Sequence, residues 1–319
     1  MNRLVGTLAG VLLSACANLP AVVGTWLWLL CCGIAVAQDV EPRRWTPFPV
    51  GTNVLALGGA YDEGDIFFDP VTRIEDADFR LHSVIASYVR SFGYSGKTAR
   101  VDLRVPYHNG RWEGRLDGDP RSVRRRGFGD PRIRLSVNLV GPPAMDPQQF
   151  RDYLARNPIY TIAGFGVAVR VPLGEYKKDK LINLGQNRFV IRPQFGVLHK
   201  RGPWSYELTA SAFFFTPNDE FFNGTERKQD PLYAAQVHVV RTFKTGWWVS
   251  AGVAYGWGGE NDIDSLRKDD ETGNLLFGAS LGLPVGRSQS IAVRYIGGRA
   301  QKDTGSDSDR LALSWTTRF

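Results

Sequence analysis

A period-two alternation of apolar and polar residues recurs along most of this chain and limits what it can fold into. In residues 98–105, the odd positions are apolar, and the even positions include Arg100, Asp102 and Arg104. A strand points successive side chains to opposite faces, so each such segment has one apolar and one polar face. Many strands of this kind must cover their apolar faces with a second layer of protein or with lipid.

The alternation predicts twelve strands, and the segments between them alternate in length. The predicted strands cover residues 52–61, 80–92, 98–105, 132–139, 161–171, 188–197, 204–214, 232–243, 247–257, 275–285, 290–296 and 310–319. Short turns are predicted at residues 200–203, 244–246 and 286–289. Long polar loops are predicted at residues 62–78, 106–127, 172–187, 216–229, 258–273 and 297–309.

Short turns at one end and long loops at the other are typical of outer-membrane barrels. We therefore expect an all-β fold over residues 51–319, a transmembrane antiparallel up-and-down β-barrel of 12 strands in the bacterial outer membrane. A soluble sandwich with one wet face is the alternative, since it would show a similar alternation. Residues 141–158 break the loop pattern. Asp146 as N-cap and Pro147 at the first helical position predict one short periplasmic helix there.

The front of the chain predicts secretion. Residues 1–37 carry one charge, Arg3, and end in Ala-Val-Ala, the small-x-small pattern of a signal peptide cleavage site. Two alternatives remain open: a membrane anchor over residues 21–37, and a lipoprotein signal with lipidation at Cys16. Residues 38–50 follow as a separate N-terminal segment, in which Trp45 and nearby prolines suggest a lumen plug.

Composition excludes several kinds of site. All three cysteines lie within residues 1–37, so the mature chain would have no disulfide or thiolate metal site. The four histidines show no metal-ligand spacing, and we expect no metal and no cofactor. The formal net charge of +7 comes without a basic helix or clustered stripe, so nucleic acid is not an expected partner.

The chain ends in a strand whose last residue is Phe319. Apolar side chains at Leu311, Leu313 and Trp315 alternate with polar ones up to that residue. A terminal strand that ends in an aromatic residue is what an outer-membrane barrel presents to the barrel assembly machinery. We expect that machinery and the lipid bilayer as partners, and a monomeric barrel.

Several short motifs resemble one family. They occupy residues 88–92, 99–107, 127–131, 172–176, 180–188 and 229–232. Together they resemble the outer-membrane transporter family linked to meta-pathway phenol degradation, over nearly the whole mature chain. The resemblance implies passage of small, often aromatic, organic molecules. It supplies no agreed functional residues.

Arginine dominates the register that faces the lumen. The candidate selectivity residues are Arg100, Asp102, Arg104, Arg132, Arg134, Arg170, Arg188, Arg192, Glu207 and Arg294. The same register includes His82, His238, Arg310 and Arg318. Because the third and fourth strands are neighbours, we expect Arg100, Arg104, Arg132 and Arg134 to form a basic ladder with Asp102 inside it. Fixed positive charge favours anions in a pore, and the guanidinium fork grips carboxylates. The alternative is that these arginines pair with Asp102, Glu207 and loop carboxylates, and so fill the lumen.

We therefore expect a channel or transporter for passive passage of small organic solutes, aromatic or anionic among them, and no enzyme. No P-loop is present, so the driving force would be the concentration gradient. The alternatives are a barrel-embedded hydrolase and a structural or adhesive barrel. Ser83 lies beside His82, but adjacent strand residues face opposite ways, and no GxSxG elbow occurs. The sequence identifies neither the solute nor the direction of transport.

Overall fold

The computed structural model describes residues 40–67 and 74–319, so the predicted signal peptide lies outside the described residues. The strands in chain order are β1 (Asn53–Phe67), β2 (Ile74–Tyr94), β3 (Lys97–Leu116), β4 (Asp119–Phe128), β5 (Arg132–Val140), β6 (Ile159–Arg170), β7 (Val190–Arg201), β8 (Trp204–Phe215), β9 (Asn218–Phe221), β10 (Thr225–Gln229), β11 (Leu232–Thr242), β12 (Trp248–Gly258), β13 (Asn261–Ile263), β14 (Leu266–Arg267), β15 (Thr272–Val285), β16 (Gln289–Ala300) and β17 (Gly305–Arg318). The one α-helix in this part of the chain, α1 (Pro147–Arg156), lies between β5 and β6.

The large sheet closes into a barrel of twelve antiparallel strands, as the alternation predicts. β1 pairs with both β2 and the last strand β17, and β2 pairs with β3. β4 and β5 together fill one position in the wall, because β4 pairs with residues 107–116 of β3 and β5 pairs with residues 99–104. Closure leaves the twelve-stranded wall without open edges, which a lipid environment requires, while β4 keeps one edge at the loop end unpaired within the described part of the chain.

The predictions of three long loops are partly wrong, because strands of the barrel extend into those residues. β3 and β4 form a hairpin over most of residues 106–127. β1 and β2 stay paired as far as Ile66 and Ala77, and β16 and β17 as far as Gly298 and Ser308. Beyond the bilayer neither face of a strand must be apolar, so the alternation fades while backbone pairing continues.

An apolar belt surrounds the outside of the barrel. In β11, Gln236 and His238 are 7% and 3% exposed, whereas Val237 between them is 51% exposed. Its cross-strand partner Leu208 on β8 is 52% exposed. Other exposed apolar residues on the wall include Leu55, Leu57, Leu103, Ile133, Leu135, Phe165, Phe195, Val253, Leu281, Val293 and Leu313. A continuous apolar surface of this extent is stable against lipid and not against water.

Aromatic side chains flank the belt at both ends. At the short-turn end, the rings of Phe243 and Trp247 stack 3.6 Å apart, and the Arg241 guanidinium lies 5.2 Å over the Trp204 ring. At the loop end, the Trp257 ring lies 5.9 Å from that of Tyr233. These two girdles are typical of the membrane interfaces of outer-membrane barrels.

Helix α1 lies at the short-turn end, with the predicted cap. The Asp146 side chain accepts the N–H groups of Gln148 and Gln149, and the Gln149 side chain accepts the Asp146 N–H. The chain before the helix is tied to the barrel rim by a bond from the Ala144 N–H to the Gly96 carbonyl at 3.0 Å. Within residues 40–67 and 74–319, no helix is both long and apolar enough to cross a bilayer.

The long loops fold over the opposite end of the barrel. β9, β10, β13 and β14 form a small four-stranded sheet outside the wall. Phe221 and Ile263 of this sheet are buried against Leu181. Leu181 belongs to residues 171–189, which connect β6 to β7 and are called the lid loop below.

Candidate functional site in the lumen

Residues 40–50, called the N-terminal segment below, contact inward-facing side chains on several strands. The Arg44 N–H donates to Glu207 Oε2 on β8 at 3.1 Å, and the Arg44 carbonyl accepts from Arg100 Nη2 on β3 at 2.7 Å. The Glu41 N–H donates to Gln236 Oε1 on β11 at 3.4 Å. In the strand order, β3 is well separated from β8 and β11, so the segment bridges the lumen.

Trp45 anchors this segment against the wall. Its side chain is 3% exposed, packs against Ile162, and donates from Nε1 to Thr209 Oγ1 at 2.8 Å. The indole lies on Gly164 and Gly196, which are cross-strand partners on β6 and β7. A Cβ atom at either glycine would overlap the ring, so the two glycines create the recess that holds it.

The Glu41 carboxylate joins four arginines. Its Oε1 lies 3.1 Å from Arg104 Nη2 and 3.1 Å from Arg132 Nη2. Its Oε2 lies 2.6 Å from Arg44 Nη2 and 3.7 Å from Arg134 Nη1. The N-terminal segment therefore supplies the counter-charge to the arginines of β3 and β5.

Those arginines form the ladder that the sequence predicts on neighbouring strands. Arg104 lies directly opposite Arg132, and Asp102 lies directly opposite Arg134. Asp102 Oδ2 lies 2.7 Å from Arg134 Nη2 and 3.4 Å from Arg100 Nε. Like charges that face each other across strands destabilise a sheet, so the contact of Glu41 with Arg104 and Arg132 stabilises this part of the wall.

The ionisation of Glu41 is strongly shifted by its surroundings. Burial by itself would raise the pKa of the carboxyl group, but the nearby guanidinium groups outweigh burial and hold this pKa well below its usual range. The lowering comes from Arg104, Arg132 and Arg134, with a smaller effect of Arg192. Glu41 is therefore an anion at neutral pH, and its docked position favours that form.

Two other predicted residues face the lumen from other strands, β7 and β16. The Arg192 guanidinium lies 5.1 Å over the ring of Phe213. Arg294 points inward on β16, since its neighbours Val293 and Tyr295 are exposed on the outer face. Neither residue forms an ion pair with Asp102, so the ladder comprises only part of the predicted set.

Between the N-terminal segment and the lid loop, the lumen contains a chamber of about 270 Å³. Arg170 and Arg188 of the predicted set line it, and so do Arg104 and Arg132 on the side of the N-terminal segment. Another part of the lining is apolar. It consists of Ile66, Leu81 and Trp112 from the wall, with Ile182 and Leu184 from the lid loop packed against them.

The lid loop is held by one buried carboxylate, that of Asp130, which is 8% exposed. Its Oδ1 accepts the Gly174 N–H at 2.9 Å, and its Oδ2 accepts the Gln186 N–H at 2.8 Å. Arg125 Nε adds a bond to the Ile182 carbonyl at 2.9 Å. Because Gly174 and Gln186 lie near the two ends of the loop, Asp130 fixes both ends at once.

Sequence reasoning missed Glu41, Asp130 and the apolar lining of the chamber. It was also wrong about His82, which lies on the outer face with its ring 4.9 Å from that of Tyr61. In β2 the inward register is occupied by Leu81 and Ser83. An apolar residue in the polar register is the signal that a loop folds in to cover it, and that signal is present at Leu81.

The chamber also contains a serine–histidine pair. Ser83 Oγ and His108 Nδ1 lie 2.8 Å apart as cross-strand partners on β2 and β3. Among the described residues no carboxylate hydrogen-bonds to His108, so the pair lacks the orienting group of a hydrolytic triad. Nor do residues 40–67 and 74–319 contain a cluster of His, Cys, Asp or Glu that could hold a metal ion.

Comparison with solved structures shows this fold in a known outer-membrane channel. An outer-membrane channel from Pseudomonas putida F1 has a TM-score of 0.72 and 20% sequence identity, covering 88% of this chain and 100% of that chain. The transport unit of the autotransporter AIDA-I from Escherichia coli has a TM-score of 0.47 and 10% identity, covering 93% and 97%. No functionally curated protein matches the sequence.

The apolar belt, the two girdles and the closed wall make this protein a β-barrel of the bacterial outer membrane. A family model described as "Putative MetA-pathway of phenol degradation" matches residues 70–307, which is most of the chain. That span includes the arginine ladder, Asp130 and the lid loop. The chain therefore belongs to the phenol MetA-pathway degradation family.

Proposed function

We propose that the barrel is a passive channel for small organic anions, with the lumen arginines as its selectivity residues. The observation that carries the proposal is the excess of inward guanidinium groups, concentrated in the ladder and in the chamber. Fixed positive charge in a pore favours anions, and arginine binds carboxylates with a planar fork. The family's link to phenol degradation supports aromatic compounds among the solutes.

The N-terminal segment would act as a displaceable plug in this channel. It bridges the lumen between β3 and β8, yet its bonds to the wall use side chains such as Glu207, Arg100 and Gln236 rather than a backbone ladder. Side-chain contacts of this kind can be released without opening the sheet. Release would also expose the ladder arginines to the solute.

Planar-bilayer recording of the mature protein tests charge selectivity. Under a potassium chloride gradient, we expect the reversal potential to indicate preference for chloride. Replacing both Arg104 and Arg134 by glutamate should shift the preference toward cations, because both side chains belong to the ladder. The matched control is Arg90→Glu with Arg201→Glu, the same charge change at exposed positions.

Two results would contradict the proposal. An unchanged reversal potential in the ladder variant would mean that these arginines do not face the path. If neither the wild type nor a variant lacking residues 38–48 conducts ions, the channel function is excluded.

We further propose that the protein is a monomer inserted by the barrel assembly machinery. The Phe319 side chain is 70% exposed, and its backbone exchanges two bonds with Asn53, each 3.0 Å long, where the first and last strands meet. A recognition residue at this seam would be accessible before the barrel closes. To test this role, assembly of a Phe319→Ser variant into the outer membrane is measured, and we expect it to be lost. Phe214→Ser is the matched control.

A hydrolase is the competing function, and the pair Ser83–His108 is the observation that favours it. Arg310 and Arg170, rather than a carboxylate, act electrostatically on His108. We therefore infer that the protein is not an enzyme. A fluorophosphonate probe should leave the protein unlabelled, and labelling that disappears in Ser83→Ala would reverse this inference.

A further inference from the structure

Arg188 occupies an unusual position in the chamber, where the lid loop meets β7. The residue is 3% exposed, and its Nη2 donates to Gln229 Oε1. Its guanidinium lies 4.5 Å over the ring of Phe215. The other two nitrogens, Nε and Nη1, have no hydrogen-bond partner among the described residues. A buried cation with unused donors favours an anionic partner.

The chamber beside Arg188 is amphipathic. Ile66, Leu81 and Trp112 form an apolar surface, and Ile182 of the lid loop packs against it. Arg170 also lines the chamber and adds positive potential. The volume of about 270 Å³ is near the lower end for ligand pockets, which suits a molecule with one ring.

From this combination we propose that Arg188 anchors a binding site for aromatic monocarboxylates. The carboxylate accepts from the Arg188 donors that Gln229 leaves unused, and the ring lies against the apolar surface that includes Leu81 and Trp112. This proposal rests on the proposed channel function, because the chamber would be the part of the lumen that selects the solute. It differs from the ladder, which acts through net charge on any anion.

Two other ligand chemistries fit the chamber less well. A small inorganic anion would satisfy Arg188 but would leave the apolar surface against water. A neutral phenol would cover that surface but would leave Arg188 Nε and Nη1 without an anionic acceptor. An aromatic acid satisfies both requirements in one molecule.

Calorimetric titration of the mature protein in detergent micelles with benzoate tests the site. We expect saturable binding, with phenol and acetate each at least about tenfold weaker, since one lacks the charge and the other the ring. Arg188→Gln should weaken benzoate binding at least about tenfold. Arg188→Lys should give an intermediate loss, because lysine keeps the charge without the planar fork.

The matched control is Arg90→Gln, at an exposed position, which should bind benzoate as the wild type does. Folding of each variant is checked by its heat-dependent mobility in gels. Absence of saturable benzoate binding, equal binding in a folded Arg188→Gln variant, or equal binding of acetate and benzoate would overturn the proposal.

The titration needs no ion flow, so it separates this site from the channel function. If benzoate binding depends on Arg188 but the protein conducts no ions, the binding site is supported and the channel function is excluded. If the protein conducts with a preference for chloride but binds no benzoate, the channel function is supported and the binding site is excluded.

Discussion

Glu41 is a single carboxylate that contacts Arg44 and three arginines of the wall, and its charge controls how firmly the N-terminal segment is docked. Its pKa in the docked state is lower than in a solvated segment. Docking is therefore favoured above the solvated pKa of about 4.3 and is lost as the pH falls through the lower, docked value. The N-terminal segment should remain in place at neutral pH and leave in strong acid.

We predict that acid opens the channel and that Glu41→Gln mimics acid at neutral pH. Bilayer conductance of the wild type should rise only when the pH falls well below the solvated pKa of about 4.3, into the range where the docked Glu41 takes up its proton. The variant should conduct more at pH 7 and depend less on pH. Glu63→Gln, at an exposed residue of β1, is the matched control. Equal pH dependence in the wild type and in Glu41→Gln would exclude this carboxylate as the sensor.

At Gly196, a single methyl group decides whether Trp45 fits. We predict that Gly196→Ala destabilises docking of the N-terminal segment by about 1–3 kcal/mol, the usual cost of overpacking. Trypsin should then cut after Arg43 or Arg44, and conductance should rise. Gly59→Ala is the control, since a Cβ there meets nothing within 4 Å. Trypsin resistance equal to that of the wild type would mean that the recess can widen.

At the scale of one element, the lid loop depends on Asp130 for its closed conformation. We predict that Asp130→Ala loosens this loop, because two bonds to a buried charge are lost and each contributes about 1.5–3 kcal/mol. Limited trypsin digestion of the folded protein should cut faster at Lys177, Lys178 and Lys180. Asp219→Ala removes an exposed carboxylate from the neighbouring strand β9, away in sequence from the scissile lysines, and should leave the digestion rate unchanged.

The prediction for the lid loop can fail in a recognisable way. If Asp130→Ala and Asp219→Ala are digested at the same slow rate, the packing of Leu181 and Ile182 holds the loop without Asp130. The apolar contacts would then be the main closure of the chamber.

At the scale of the whole molecule, stability depends on the match between the apolar belt and lipid. We predict that Val237→Arg, at the middle of β11, lowers the free energy of unfolding by about 2–4 kcal/mol in lipid vesicles. Val237→Ile is the control, because it keeps the lipid-facing surface apolar. Urea unfolding followed by tryptophan fluorescence measures both. An unfolding midpoint unaffected by arginine would mean that this face does not meet hydrocarbon.

Two separate segments lie in the lumen, one on each side of the chamber. The N-terminal segment lies on the side of the ladder, and the lid loop lies on the other side. Neither segment is a strand of the barrel wall, so both can move while the wall stays intact. In the proposed channel, a solute would have to move past both segments, in sequence or together.

Much of the wall was predictable from sequence because a membrane barrel imposes period two on every strand. Val237 shows why: it faces lipid, which requires an apolar side chain. Gln236 and His238 on either side of it face the lumen, which tolerates polar ones. Strand ends were less predictable, as β3 and β4 show, since outside the bilayer that requirement ends. The cap of α1 was also local, and its residues alone indicate it.

The sequence by itself determined the alternating strand pattern, the belt, the helix cap and the ladder of arginines on neighbouring strands, because each follows from local periodicity or from the identity of a few adjacent residues. Only the tertiary structure decided that Glu41 meets Arg104 and Arg132, that Trp45 lies on Gly164 and Gly196, and that Asp130 holds the lid loop. The physical reason is that these contacts join residues far apart in the chain, and no period in the sequence encodes which loop enters the lumen.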